Sequence, residues 1–179
     1  LNFLSFYGDV FEVVNIIVSS YERIGNNGFV GLEKLKFLEG LKSSSILILG
    51  SNCFKNCIGL EKINLSNITH LEDDAFSDCI KLKSLGTINI NEDGDEIYEN
   101  DLDSIKIISK DSFKNCKKIT NVSFGSNLLF IGVNAFNGCS NLNLININSD
   151  IELIDDGAFL DCSDNMVVNM KNHLIKTIH

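Results

Sequence analysis

Apolar residues recur along this chain in a frame longer than a helix or strand period. A Phe followed three residues later by Cys occurs at Phe54/Cys57, Phe76/Cys79, Phe113/Cys116, Phe136/Cys139 and Phe159/Cys162. The successive Phe spacings are 22, 37, 23 and 23 residues. A further copy, Phe29 with Leu32 in the Cys slot, lies 25 residues before Phe54. Five residues before each Phe stands an aliphatic: Ile24, Leu49, Leu71, Ile108, Ile131 and Ile154. Six residues after come Leu35, Leu60, Leu82, Ile119 and Leu142, and nine after come Leu38, Ile63, Leu85, Val122, Ile145 and Val168. Eleven after come Leu65, Phe124, Ile147 and Met170, and the residue before Phe is small in Gly28, Ala75, Ser112, Ala135 and Ala158. A period of this length marks a stacked-repeat architecture, in which no unit buries its apolar face alone.

The frame predicts what each unit contributes. Leu60-Glu-Lys-Ile63-Asn-Leu65 is an LxxLxL segment whose end alternates apolar and polar, as a strand with one buried face does. Leu71 to Cys79 has apolar residues at i, i+4, i+5 and i+8, the spacing of a short α or 3₁₀ turn on the opposite side. The expected fold is therefore an α/β solenoid of about six coils over residues 24–179. Residues 1–23 are expected to be a degenerate coil or an N-terminal cap: Leu1, Ser5 and Phe6 lie 23 residues before Ile24, Gly28 and Phe29, but Asp9 and Glu12 fall in core slots. In the last coil Asn165 stands where Leu is expected, the mark of a worn terminal unit.

The 37-residue unit carries an insertion of about 14 residues between Leu85 and Ile105. Ile88 and Ile90 alternate before Asp93-Gly94, and Ile97 and Tyr98 follow, which predicts an acidic hairpin near residues 86–104. Asn89, Asn91, Asp93 and Gly94 also resemble the start of a calcium loop, but Asn89 and Asn100 stand at the positions that need Asp and Glu.

Cysteine adds little chemistry. Five of the six, Cys57, Cys79, Cys116, Cys139 and Cys162, share one repeat slot, so packing explains their regularity. Stacked slots would lie about 5 Å apart, a reach compatible with disulfides, yet parallel Cβ directions favour buried free thiols. There is no CxxC, no Gly-rich phosphate loop and no Ser/His/Asp arrangement, and His70 reads as a solvated turn residue. No metal site, cofactor or catalytic residue is expected. The net charge of −9 makes nucleic acid a poor partner. The absence of Pro and Trp beside abundant Asn, Ile and Lys reads as genome bias. With 23 Asn in the chain, the sequons at Asn64, Asn67 and Asn121 are what chance placement gives. Neither a signal peptide nor a membrane segment is visible, and a start at Leu1 and a stop at His179 are expected of a fragment of a longer chain.

From about residue 24 to 170 the frame resembles the BspA-like, or Treponema pallidum-type, leucine-rich repeat, whose pattern is near I..I...AF..C..L..I.(L/I). That resemblance implies a right-handed solenoid with a parallel sheet on its concave face. It also implies a surface or secreted protein of bacteria or protists that works by adhesion and protein contact, with no catalysis. An intracellular scaffold using the same face is the alternative. Solvent-facing strand positions follow seven, eight and ten residues after each Phe, which makes Lys62, Lys83, Asn121, Leu144, Met166 and Val167 the candidate contact residues. Phe29, Phe54, Phe76, Phe113, Phe136 and Phe159, with the five repeat cysteines, are the expected core.

Overall fold

A computed structural model describes residues 12–15, 22–39, 41, 45–94 and 96–170. The expected alignment of Leu1, Ser5, Phe6 and Asp9 lies outside them. Two rows of strands run the length of the molecule. The LxxLxL row comprises β1 (Val13–Asn15), β3 (Phe37–Glu39), β5 (Lys62–Ile63), β9 (Asp101–Leu102), β11 (Asn121–Phe124), β13 (Leu144–Ile147) and β15 (Val167–Met170). The opposite row comprises β2 (Arg23–Ile24), β4 (Ile48–Leu49), β6 (His70–Leu71), β10 (Ile107–Ile108), β12 (Phe130–Ile131) and β14 (Leu153–Ile154), paired in that order as one six-stranded parallel sheet. The LxxLxL row is split. β1-β3-β5 and β9-β11-β13-β15 are separate parallel sheets, with a single Lys62–Ser84 bridge continuing the first. The split falls where β7 (Thr87–Ile90) and β8 (Glu96–Glu99) leave as an antiparallel hairpin, turning at Gly94 with φ 87°. The chain is thus a parallel-strand β-solenoid of about six turns.

No helix occurs among the described residues, so the expected α or 3₁₀ turns are corrected to turns of another kind. The cause is a pair of left-handed residues in every coil, two before and two after Phe. They are Asn27 and Gly31, Asn52 and Asn56, Asp74 and Asp78, Asp111 and Asn115, Asn134 and Gly138, and Gly157 and Asp161, with φ between 53° and 74°. Asn, Asp and Gly are the residues that enter this region at least cost. Each left-handed residue turns its amide out of the coil, so successive N–H groups alternate in direction. Cys53, Lys55 and Cys57 donate within their own coil, to Gly50, Asn52 and Phe54 carbonyls, while Asn52, Phe54 and Asn56 donate to Asp73, Ala75 and Ser77 of the next. The same inter-coil triplet runs from Asn27, Phe29 and Gly31 to Asn134, Phe136 and Gly138 at 2.7–3.0 Å. A helix would direct all these amides within one coil.

Stacking fills the core. Phe29, Phe54, Phe76, Phe113, Phe136 and Phe159 form a face-to-face column with centroids 4.9–5.8 Å apart. Beside it each repeat cysteine donates its thiol to the Phe carbonyl of the preceding coil: Cys57 to Phe29, Cys79 to Phe54, Cys116 to Phe76, Cys139 to Phe113 and Cys162 to Phe136, at 3.0–3.3 Å. All six cysteines are free thiols; five are buried and Cys162 is half-buried. Ser112, in the small slot, donates to Ser109 and Glu72 carbonyls, which accounts for a buried hydroxyl there. On the opposite face Glu72 accepts from Arg23 of the first coil through both carboxylate oxygens and from Ser51 of the second, a three-coil clamp that holds its carboxyl below the usual range. At the N-terminal end Glu12, expected in a core slot, is exposed. β1 pairs Val13 with Phe37, so Glu12 takes an exposed slot and pairs with Lys36 at 3.1 Å. In the last coil the register holds, with Leu144 opposite Val167 and Ile145 opposite Val168.

Four outcomes follow. Phe113→Ala removes a fully buried ring and should cost about 3–5 kcal/mol in urea unfolding. Asn56→Ala should lower stability by about 1 kcal/mol while Asn56→Gly leaves it unchanged or higher, because only the backbone conformation is at issue. Gly138→Ala should likewise cost about 1 kcal/mol, since φ 74° lies in the left-handed region. Finally, burial pushes the Cys57 thiol up to about 12 and Cys162 up to about 11 from an ordinary 9.0. The fold holds the neutral thiol, so this stabilisation is complete below pH 9 and is lost as pH rises through those windows. Urea midpoints measured from pH 8 upward should fall, and Cys162→Ala should flatten the fall between 9.0 and about 11.

Candidate functional site

The LxxLxL face has two halves of different chemistry, separated by the hairpin. The N-terminal half is charged: Glu12 pairs with Lys36, Lys83 pairs with Glu61 at 3.3 Å, and the Lys62 ammonium lies 5.5 Å over the Phe37 ring. A groove of about 260 Å³ opens here, lined by Phe37, Leu38, Lys62, Ile63, Asn64, Gly86 and Thr87. One wall is the root of the hairpin, so the insertion creates the groove.

What holds that root is Asn100, 2% exposed. Its Oδ1 accepts from Leu85 N–H at 2.8 Å, and its Nδ2 donates to the carbonyls of Lys83 and Asn121 at 3.4 and 3.0 Å. Its own carbonyl accepts from Ser123 N–H at 3.0 Å. One amide side chain thus replaces the strand bonds that the departure of the chain interrupts, and Leu102 then resumes the core opposite Phe124. This commits Asn100 to the backbone of neighbouring coils and away from the twelfth position of a calcium loop. Among the described residues no group of three His, Cys, Asp or Glu side chains is placed to hold a metal.

In the C-terminal half, strands β11, β13 and β15 carry no charged residue. Asn121, Leu144 and Val167 lie side by side across β11, β13 and β15. Ser123, Asn146 and Asn169 form a parallel line joined by side-chain bonds of 3.0 and 2.9 Å. Val167 is 51% exposed and Leu144 half-buried, while Met166 packs partly against the core. The structure therefore brings together Asn121, Leu144 and Val167, and sets Lys62 and Lys83 apart from them on the other side of the hairpin. Sequence reasoning missed the opposite face, where the first residues of the two-residue strands, Ile48, His70, Ile107, Phe130 and Leu153, make a half-buried, mainly apolar row flanked by exposed Leu47 and Leu129. The signal was present as a second apolar residue, Ile48, Ile107, Phe130 or Leu153, before four of the six residues five before Phe.

These features define a leucine-rich-repeat β-solenoid that offers side chains on rigid sheets. Six copies of the BspA type leucine rich repeat region match residues 3–102 and 100–179, and the chain belongs to that family. Members of it are typically non-catalytic repeat scaffolds. Its fold is similar to a leucine-rich repeat protein of T. pallidum, with TM-score 0.70 and 19% identity over 94% of this chain and 71% of that one. It is also similar to a leucine-rich cell surface protein of Faecalibacterium prausnitzii, with TM-score 0.67 and 17% identity over 94% and 47%. A leucine-rich repeat protein of Bacteroides ovatus gives 0.59 and 21% over 93% and 46%. The chain spans under half the length of these last two. Comparison with curated proteins finds no match. No helix among the described residues is long and apolar enough to cross a membrane.

Asn100→Leu keeps the volume but leaves Leu85 N–H and the Lys83 and Asn121 carbonyls without their side-chain partner. It should cost about 1–3 kcal/mol in thermal or urea unfolding, with hydrogen exchange accelerating first at Leu85. Unchanged exchange there would show that the hairpin root does not depend on this amide.

Proposed function

We propose that this solenoid is a protein-interaction module of a cell-surface or secreted adhesin-like protein, with its LxxLxL sheet as the concave, contacting side. The observation that carries this reading is the uncharged line Asn121–Leu144–Val167, flat across three paired strands and partly exposed. An apolar and amide surface in a chain of net charge −9 does not repel a neutral partner. The strands beneath are fixed by neighbours, so docking orders few groups that were free before. Leu144 and Val167 serve as apolar anchors with Met166 at their margin, Asn121 supplies an amide, and Lys62 and Lys83 form a second contact across the hairpin. The surface location draws on the family and on the cell-surface relative in F. prausnitzii. Six free cysteines permit the second reading, an intracellular scaffold using the same sheet.

Binding of the chain to a panel of immobilised extracellular-matrix and cell-surface proteins tests the proposal. Leu144→Asp and Val167→Asp should each weaken binding about tenfold or more, as a loss of at least 1.4 kcal/mol implies, with melting unchanged. Normal binding by both, together with loss of binding on Ile107→Asp or Phe130→Asp, would assign the opposite sheet instead.

A further inference from the structure

The six-stranded sheet opposite the LxxLxL row carries one charge pattern twice. Leu129 N–H donates to the Lys106 carbonyl and Glu152 N–H to the Leu129 carbonyl, both at 2.9 Å, so Lys106, Leu129 and Glu152 superpose in successive coils. Past the strands, Lys110, Val133 and Asp156 share the slot three before Phe. The ladder there runs from Asp111 N–H to the Val133 carbonyl and from Asn134 N–H to the Asp156 carbonyl, at 2.9 and 3.0 Å. Each column is therefore a base, an apolar residue and an acid. Between the columns β10, β12 and β14 present Ile107, Phe130 and Leu153 in register. The charged residues are exposed, as is Leu129, and the other apolar residues are half-buried. Base and acid of one column stand two strand spacings apart, about 10 Å, too far to pair within one molecule.

Such a face is complementary to itself. A two-fold axis lying between two copies and parallel to β12 reverses the order of coils and sets each column opposite itself. Lys106 then meets Glu152 of the second copy, and Lys110 meets its Asp156. Both pairs occur twice, and Leu129, Phe130 and Val133 pack on their own counterparts at the axis, as an isologous contact requires. An axis along the stack would exchange the columns and keep coil order. Lys106 would then meet Lys110, and Glu152 would meet Asp156, which like charges oppose. The charges thus select one arrangement. Coil rotation confines it. The Phe planes differ by 15° and 22° over these coils, against 1–4° in the first three pairs. Two faces twisted in the same sense touch near their axis and diverge beyond it.

We infer that the chain pairs with a second copy through the outer side of β10, β12 and β14, about a two-fold axis over Phe130. Lys106 and Lys110 supply one half of the charge contact, and Glu152 and Asp156 the other. Both LxxLxL sheets face away from this contact, so the pairing holds whether or not that sheet binds a protein. A surface of three short strands is small beside a standard interface of about 1,600 Å², so the dimer forms at raised concentration.

Sedimentation velocity of the intact chain up to about 1 mM tests the contact. The average mass should rise with concentration and level at the dimer. Lys106→Glu alone and Glu152→Lys alone should each raise the concentration needed by about tenfold or more, with melting unchanged. An equimolar mixture of these two variants should dimerise as the unaltered chain does, because every charge contact between unlike variants joins a base to an acid. Phe130→Asp should abolish pairing. Val167→Asp, on the LxxLxL sheet, should leave it unchanged. A chain that is monomeric at about 1 mM, that grows past the dimer, or whose mixed variants associate no better than each alone overturns the inference.

Discussion

Everything in this molecule depends on where one set of amide groups points. In the turn that carries Phe, alternate N–H groups serve their own coil and the next one, and the left-handed residues two before and two after Phe enforce the alternation. Because the outward amides find carbonyls only at a fixed rise, coils stack in one register and one direction. The Phe column follows from that register, since residues in the same slot must superpose, and its small interplanar angles (1–4° over the first three pairs) show how little the coils rotate there. The thiols follow as well. A Phe carbonyl that already accepts from the amide three residues later has one lone pair left, and a small donor from the following coil reaches it.

Most of this architecture was legible in the sequence, and the error was informative. The aliphatic and Phe slots gave the coils, the strands and the core, because burial selects residue type strongly at those positions. Apolar spacing in the Phe turn mimicked a helix, since i, i+4 and i+5 are compatible with both. What discriminates is polar: twelve slots two before and two after Phe hold only Asn, Asp or Gly. A reading that weighed hydrophobic period alone passed over this second periodicity. At the other extreme, Asn100 could not have been found from sequence. Its role exists only because the chain leaves the sheet at Gly86 and returns at Asp101, which sets Asn100 between the backbone of Lys83 and Leu85 in one coil and that of Asn121 in the next.

The hairpin also determines how the broad face is divided. A coil without insertion would run straight from Leu85 into its core position eleven after Phe; here Leu102 fills that slot and the sheet is interrupted. The interruption leaves a groove on one side and a four-stranded sheet on the other, whose β11, β13 and β15 carry no charge. Lys62 and Val167 stand on opposite sides of the hairpin root, so a small partner meets both only by crossing it.

Stacking restricts where function can reside. Of each coil's side chains, those aimed inward are fixed by the column and those at the turns by backbone conformation, so substitution is freest on the outer sides of the two sheets. Their backbone is hydrogen-bonded to neighbours on both edges within each sheet, except beside the hairpin and at the outermost described strands. A partner on either broad face must therefore be recognised through side chains alone, whose types vary from coil to coil without cost to the stack. The same alternation of amides that builds the solenoid thus leaves the outer side chains of the two sheets free to differ from coil to coil.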